Sequence, residues 1–298
     1  MYKKFLDLGF QPLANSYLDK SNLNKKEQRF KLEIGVDLNT YLVSIMNTVP
    51  KQKMFNNKYP YKSSASKTMQ NSFYNLANKI NQKFKPKFII EIGSNDGAFI
   101  KNFNRKKVIG VEPCKNLAKI TRKKNYKTYS EFWDCNLAKK ITSSNKADII
   151  YSANTLSHIK NLNEIFNAIN IALSSDGILI LEDPSLLKCF EKVAYDQFYC
   201  EHIYVFSTIA LSNILKKFKL EIFHVETLST HGGSNRYYIK KSINKKNKIN
   251  LSVKKEISKE TKFGIKKFST YIKFQNKVKK SKHKLLKLVK KIKKKILL

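Results

Sequence analysis

Paired cysteines, arginine and long apolar runs are all scarce in this chain of 298 residues. Its four cysteines (Cys114, Cys135, Cys189 and Cys200) form no C-x-x-C pair. Neither structural zinc nor a disulfide framework is therefore expected, and the thiols read as small buried hydrophobes. No stretch approaches the roughly 20 apolar residues that a membrane span needs. The start, Met1-Tyr2-Lys3-Lys4-Phe5-Leu6-Asp7, lacks the apolar core of a secretory signal, so a cytoplasmic setting is expected. Apolar residues make up 42% of the chain, enough for a substantial core, which excludes a wholly disordered protein. At about 150 residues per domain, the length suits one large domain or two small ones.

Acidic residues are few, 22 against 59 basic ones, giving a formal net charge of +37. Only Arg29, Arg105, Arg122 and Arg236 among the basic residues are arginine. Bidentate phosphate and base recognition favours the arginine fork, whereas lysine is a flexible point charge. The charge is also uneven, since residues 240–298 hold 23 lysines against Glu256 and Glu260. Two readings stand: the lysine-rich usage of an AT-rich genome ending in a solvated tail, or an electrostatic role toward anionic ligands, RNA or membrane.

Residues 1–60 show little periodicity and are expected to be irregular. From Lys67 to Phe84 the residues Phe73, Leu76, Ala77, Ile80 and Phe84 share one helical face, and Pro86 ends the pattern. Apolar runs at Phe88–Ile92, Val108–Val111, Asp148–Ser152 and Ile178–Leu181 predict buried strands. Helical patterns at Asn116–Lys124 and Leu162–Leu173 fall between them. Such alternation implies a parallel sheet covered on both faces, a doubly wound α/β fold. After a helix near Ile209–Phe218, the runs Glu221–Val225 and Arg236–Ile239 suit a closing antiparallel pair. From Asn250 onward the pattern is helical, with lysine on the polar faces; a core-packing helix, a partner helix and a basic membrane-surface helix all fit it.

The first strand runs into Glu91-Ile92-Gly93-Ser94-Asn95-Asp96-Gly97, an E-x-G-x-x-x-G turn. Gly93 and Gly97 allow a tight turn and close approach of backbone to a ligand. A helix starting near Ala98 is expected to follow, at the strand ends where open α/β sheets bind ligands. The second strand ends at Glu112, whose carboxylate can accept hydrogen bonds from both hydroxyls of a ribose. The dinucleotide fingerprint G-x-G-x-x-G is absent. The turn, Gly110-Val111-Glu112-Pro113 and Ser152-Ala153-Asn154-Thr155-Leu156-Ser157-His158-Ile159 together resemble the class I S-adenosylmethionine-dependent methyltransferases. That resemblance implies a mostly parallel Rossmann-like sheet with S-adenosylmethionine as cofactor. By it, Gly93 and Gly97 line the methionine moiety, Glu91 and Asn95 belong to the same cofactor turn, Glu112 holds the ribose, and Phe132 and Trp133 sit beside the adenine. Asn154 completes the set. Read as residues alone, Phe132 and Trp133 equally suit a core, and Asn154 a cap or turn.

Four further segments are Leu8–Asn15, Tyr59–Ser66, Asp196–Ser207 and Thr230–Ser234. Together they resemble sugar C-methyltransferases acting on nucleotide-linked keto-deoxysugars, in order along nearly the whole chain. Methylating a carbon beside a ketone requires removal of its proton by a positioned base and stabilisation of the oxyanion. His202 is the candidate base, because histidine titrates near neutrality. Glu201, Tyr199 and Tyr61 are candidates to orient the sugar or donate to its oxygens, and His158 to contact substrate. His231 reads equally as a substrate contact or a turn, and His224 and His283 as structural residues.

Relatives of this kind carry an N-terminal zinc domain with two cysteine pairs, and the second pair would fall where this chain reads Asp37-Leu38-Asn39-Thr40. No zinc is expected. In relatives the helical segment resembling Thr261–Leu288 leads into a further α/β domain, whereas here it runs into a lysine-rich end. The expected organisation is an N-terminal region over 1–60, a methyltransferase domain over 61–240 and a lysine-rich helical extension over 241–298. A small-molecule nucleotide sugar is the expected partner, with RNA or membrane contact through the basic tail left open. Two other functions remain: an O- or N-methyltransferase on another small molecule or RNA, and a non-catalytic remnant that binds cofactor or partner.

Overall fold

The computed structural model describes residues 1–296, so Leu297 and Leu298 of the expected extension lie outside the described residues. The first 60 residues differ from expectation. They supply the strands β1 (Tyr2–Gln11), β2 (Phe30–Asp37) and β3 (Val43–Ile45), followed by a single helical turn, α1 (Lys51–Met54). In β2, Leu32, Ile34 and Val36 alternate inward with the period of a half-buried strand. In β1, two register shifts against β2 break that period, so the adjacent residues Phe5 and Leu6 are both buried.

The central layer follows the expected alternation. Helix α2 (Lys67–Lys83) is capped by Ser66, whose hydroxyl accepts the Met69 N–H. Then come β4 (Ile89–Ile92), β5 (Val108–Val111), α3 (Lys115–Lys123), β6 (Thr128–Tyr129), α4 (Cys135–Ile141), β7 (Ala147–Ala153), α5 (Leu162–Ala172), β8 (Leu173–Pro184) and α6 (Leu186–Lys192). A two-residue strand β9 (Tyr204–Val205) precedes α7 (Thr208–Leu215), β10 (Leu220–Leu228), β11 (Ser234–Lys241), α8 (Leu251–Phe263) and α9 (Phe268–Ile296). Seven strands pair in the order β10-β11-β8-β7-β4-β5-β6. β4 through β8 are parallel, and β11 runs antiparallel to both β8 and β10.

Both faces of the sheet are covered. Ile89, Tyr151 and Ile180 pack against Phe73, Leu76 and Ile80 of α2. Ile90, Ile92 and Leu179 pack against Phe166 and Ile169 of α5 and Leu211 of α7. Glu260 of α8 accepts the backbone N–H groups of Thr208 and Ile209 at 2.7 and 2.9 Å, which ties α8 to the otherwise orphaned first turn of α7. The order reverses at β4, so the loops leaving β4 and β7 open a crevice at their carboxyl ends. The α-helix expected from Ala98 is absent. Two short 3₁₀ turns, Ile100–Asn102 and Arg105–Lys107, stand between Gly97 and β5 instead. The Asn102 amide donates to the carbonyls of Ala98 and Phe99 at 3.1 and 2.9 Å, taking acceptors that a longer helix would use.

The N-terminal strands form a second sheet, β1-β2-β3-β9, whose fourth strand comes from the segment after Tyr199. Its buried face, with Phe5, Ile34 and Val43, meets Phe190 of α6 and Tyr271, Phe274 and Val278 of α9. The Phe190 and Phe274 rings stack at 4.2 Å between centroids. Phe274→Ala is expected to cost about 3–5 kcal/mol, the range for emptying a well-packed aromatic site. Denaturant unfolding of the full chain measures it, and a loss below about 1 kcal/mol would mean that α9 is not anchored here.

Candidate active site

Three adjacent strand ends carry the expected cofactor residues: Gly93 after β4, Glu112 after β5 and Asn154 after β7. They open on one cavity of about 1060 Å³, which also meets Glu91, Asn95, Phe132, Trp133, Tyr61, His158, Tyr199 and His202. Gly93 has φ +77°, and a Cβ there would lie 2.1 Å from the Thr155 hydroxyl. The glycine is therefore required first by the neighbouring β7 loop, which it allows to close over the strand end. Glu112 is buried, and its carboxylate accepts the Asn95 N–H through Oε2 and the Cys114 N–H through Oε1, both at 2.8 Å. Burial raises its pKa, while those two N–H groups pull the other way.

Several polar atoms on the wall are buried without a partner among the described residues: Glu91 Oε2, Trp133 Nε1, Asn154 Oδ1 and His158 Nε2. Burial lifts the Glu91 carboxyl well above the usual range, with Glu112 adding to it. Orphaned acceptors beside a donor are what a bound polar ligand would satisfy, since leaving them unmade is costly. An acceptor facing an ammonium, a carboxylate with lone pairs to spare for vicinal hydroxyls and an aromatic pair fit S-adenosylmethionine.

On the wall of the same cavity, His202 and Tyr199 form a pair. His202 Nδ1 donates to the Gln197 carbonyl at 2.8 Å, which leaves Nε2 to accept the Tyr199 hydroxyl, also at 2.8 Å. Burial pushes the His202 pKa down to about 4, so the ring is neutral at physiological pH. Burial also drives the Tyr199 phenol upward. The dyad is therefore uncharged at rest. His158 lies 5.0 Å from His202 between ring centroids, stacks on Phe55 and is held well below the usual imidazole pKa by burial. Tyr61 stands half exposed at the cavity edge.

Two expected site residues lie outside the cavity wall. Gly97 has φ +83° and a Cβ there would strike Thr121 of α3, so its lack of a side chain serves packing. Glu201 points into the protein, where it accepts the Tyr59 hydroxyl and the Asn15 amide, each at 2.8 Å. Burial raises its pKa. Asn95 reaches back as well, its Oδ1 accepting the Ser63 N–H at 2.9 Å and its Nδ2 donating to the Tyr61 carbonyl at 3.2 Å. Asp96 joins that clasp through Ser63 and Ser64. His231 meets Asn154 at 3.3 Å, on the cavity wall. Sequence reasoning singled out the segments holding Asn15 and Tyr59 but not these two residues. Their pairing with Glu201 spans 186 and 142 positions, and nothing local signals it.

A methyltransferase domain model matches residues 65–225, and a C-methyltransferase C-terminal domain model matches residues 229–296. A zinc binding domain model matches residues 2–55. That stretch contains neither cysteine nor histidine, so its residues do not fit a structural zinc, which needs thiolate or imidazole ligands. The packing of Phe5, Ile34 and Val43 on α6 and α9 holds the sheet instead. A strong chelator is expected to leave the melting temperature unchanged. A fall of several degrees, with metal recovered in the dialysate, would reveal a bound ion.

C-methyltransferase NovU of Streptomyces niveus is 24% identical over 235 residues, 77% of this chain and 56% of NovU. The chain thus spans about half the length of that curated relative. Among solved structures, the N-methyltransferase NodS of Bradyrhizobium japonicum matches with a TM-score of 0.45 and 12% identity, over 59% of this chain and 98% of NodS. Magnesium protoporphyrin IX methyltransferase of Synechocystis PCC 6803 with bound SAH gives 0.43 and 16%, over 57% and 82%. The domain model alone covers more than half of the residues, and the chain belongs to the class I S-adenosylmethionine-dependent methyltransferases.

Proposed function

We propose that this protein is a C-methyltransferase acting on a nucleotide-linked keto-deoxysugar. The observation that carries the reading is the neutral Tyr199–His202 pair in the same cavity as Glu112 and the Gly93 turn. A base without charge, buried on the wall of the cavity that the cofactor residues also line, suits removal of a proton from carbon. The likeness to NovU, a C-methyltransferase by name, supports the reaction type, and the four ordered segments support the sugar.

Bound S-adenosylmethionine would supply an electrophilic methyl group. Glu91 would face its ammonium, Glu112 its ribose hydroxyls, and Phe132 and Trp133 would flank its adenine. Tyr61 would donate to a sugar oxygen, and Glu201 would hold Tyr59 and Asn15 in place behind it. In the proton step, the Tyr199 oxygen takes the proton from the carbon beside the ketone as its own proton passes to His202 Nε2. The Gln197 carbonyl, already bonded to Nδ1–H, stabilises the imidazolium. The electron pair left on carbon would be delocalised onto the ketone oxygen, and the methyl supplied by bound S-adenosylmethionine would be the electrophile it meets, a new C–C bond replacing the S–C bond whose pair stays on sulfur.

Enolisation and methyl transfer can be read separately. With S-adenosylhomocysteine in place of the methyl donor, the protein in deuterium oxide is expected to exchange one hydrogen beside the ketone of such a sugar. With S-adenosylmethionine, the product should gain one methyl on that carbon. Methylation at oxygen or nitrogen, with no exchange at carbon, would replace this reading.

A further inference from the structure

Helix α9 continues one apolar stripe from the core into the open. Tyr271, Phe274 and Val278 are buried, and Leu285, Val289 and Ile292 follow on the same face. Yet Leu285, Leu286, Leu288, Val289 and Ile292 remain 46–54% exposed, with nothing among the described residues covering them. Their surroundings are basic throughout: α9 contains 12 lysines, and no acidic residue follows Glu260. Lys280, Lys284, Lys287, Lys290 and Lys291 occupy the face opposite the stripe, while Lys282 and Lys293 flank it.

We propose that the outer half of α9 lies in the plane of an anionic lipid surface, with Leu285, Leu288, Val289 and Ile292 inserted at the boundary of headgroups and acyl chains. Charge decides among occupants. A second copy of the helix would set lysine against lysine along both edges of the apolar seam, the arrangement that disfavours pairing. An RNA would reward the lysines but leave the aliphatic stripe wet, and residues 279–293 contain no arginine, phenylalanine, tyrosine or tryptophan for bases to stack on. An anionic bilayer satisfies both faces at once, attracting the lysines and burying the stripe. No described helix is long and apolar enough to cross a membrane, so the contact is interfacial. Lysines flanking the stripe can bury their methylene stems along it while their ammonium groups reach the lipid headgroups.

Co-sedimentation of the full chain with vesicles tests this. Binding to phosphatidylcholine vesicles containing phosphatidylserine should exceed binding to phosphatidylcholine alone by about 10-fold or more, and high salt should release it. The triple variant Leu285→Gln, Val289→Gln, Ile292→Gln keeps good helix formers and every lysine. It should lose about 10-fold in vesicle binding while melting and binding S-adenosylhomocysteine as the parent does. Equal binding to both vesicle types, no binding by folded protein, or an unchanged triple variant would each overturn the proposal. Tighter binding to polyuridylate, insensitive to the triple substitution, would assign the helix to RNA. A dimer in solution that the substitution dissolves would assign it to a second copy.

Discussion

His202→Ala is expected to lower kcat by about 10²–10⁴, the worth of a positioned general base, while changing cofactor affinity by no more than about twofold. The imidazole is bonded to Tyr199 and Gln197 and makes no bond to the Gly93 turn, so the two effects should separate. Tyr199→Phe should match it in kcat if the phenol relays the proton, because His202 Nε2 would then have no path to the sugar. A loss of about 10-fold or less for that variant would limit Tyr199 to orienting substrate. The pH profile gives an independent sign. His202 acts when neutral, and burial sets its pKa near 4, so the rate should hold steady through neutrality and fall only as pH drops toward about 4. An acid limb near the ordinary imidazole value of about 6.5 would mean that the ring is better solvated than the fold shows. Stability shares that sign. The unfolded chain binds a proton at His202 more readily than the folded one, so its contribution is lost as pH falls between those values.

What the sequence disclosed about the fold follows from how strongly each element is marked locally. β4, β5 and β7 are short apolar runs because helices bury both of their faces, and their bounds could be read within about a residue. β2 alternates plainly at Leu32, Ile34 and Val36, but its partners do not announce themselves. β1 is bulged, while β3 and β9 have three and two residues. A sheet assembled from such fragments exists through tertiary packing on α6 and α9, which no local window contains. The helix expected after Gly97 fails for the opposite reason, since Asn102 competes locally for carbonyls whose neighbours otherwise favour a helix. At the site, Gly93, Glu112 and Asn154 were legible as strand-end residues, and the structure opens all three on one cavity. Glu201 was not, because adjacency to His202 in sequence says nothing about direction. The two side chains diverge, one toward Tyr199 and the other toward Asn15 and Tyr59.

Glu112→Ala is expected to weaken S-adenosylhomocysteine binding by a factor of ten or more, about 1.4 kcal/mol or above. Each Glu112 oxygen already accepts one backbone N–H and retains a lone pair, so the carboxylate can meet both hydroxyls of a ribose without releasing the loop. Alanine removes two roles at once, since the Asn95 and Cys114 N–H groups lose their acceptor and the turn beside Gly93 loses a support. Glu112→Gln separates them in part, because its amide retains one oxygen and its shape while surrendering the other acceptor. An intermediate loss is expected there. The decisive comparison uses the 2′-deoxy analogue of S-adenosylhomocysteine by calorimetric titration. Wild type should prefer the ribose ligand, and Glu112→Ala should bind the two alike, because the discriminating acceptor is gone. If the variant weakens both ligands equally and keeps the preference, Glu112 acts on the loop and the ribose is held elsewhere, with Asn154 Oδ1 the next acceptor on the cavity wall.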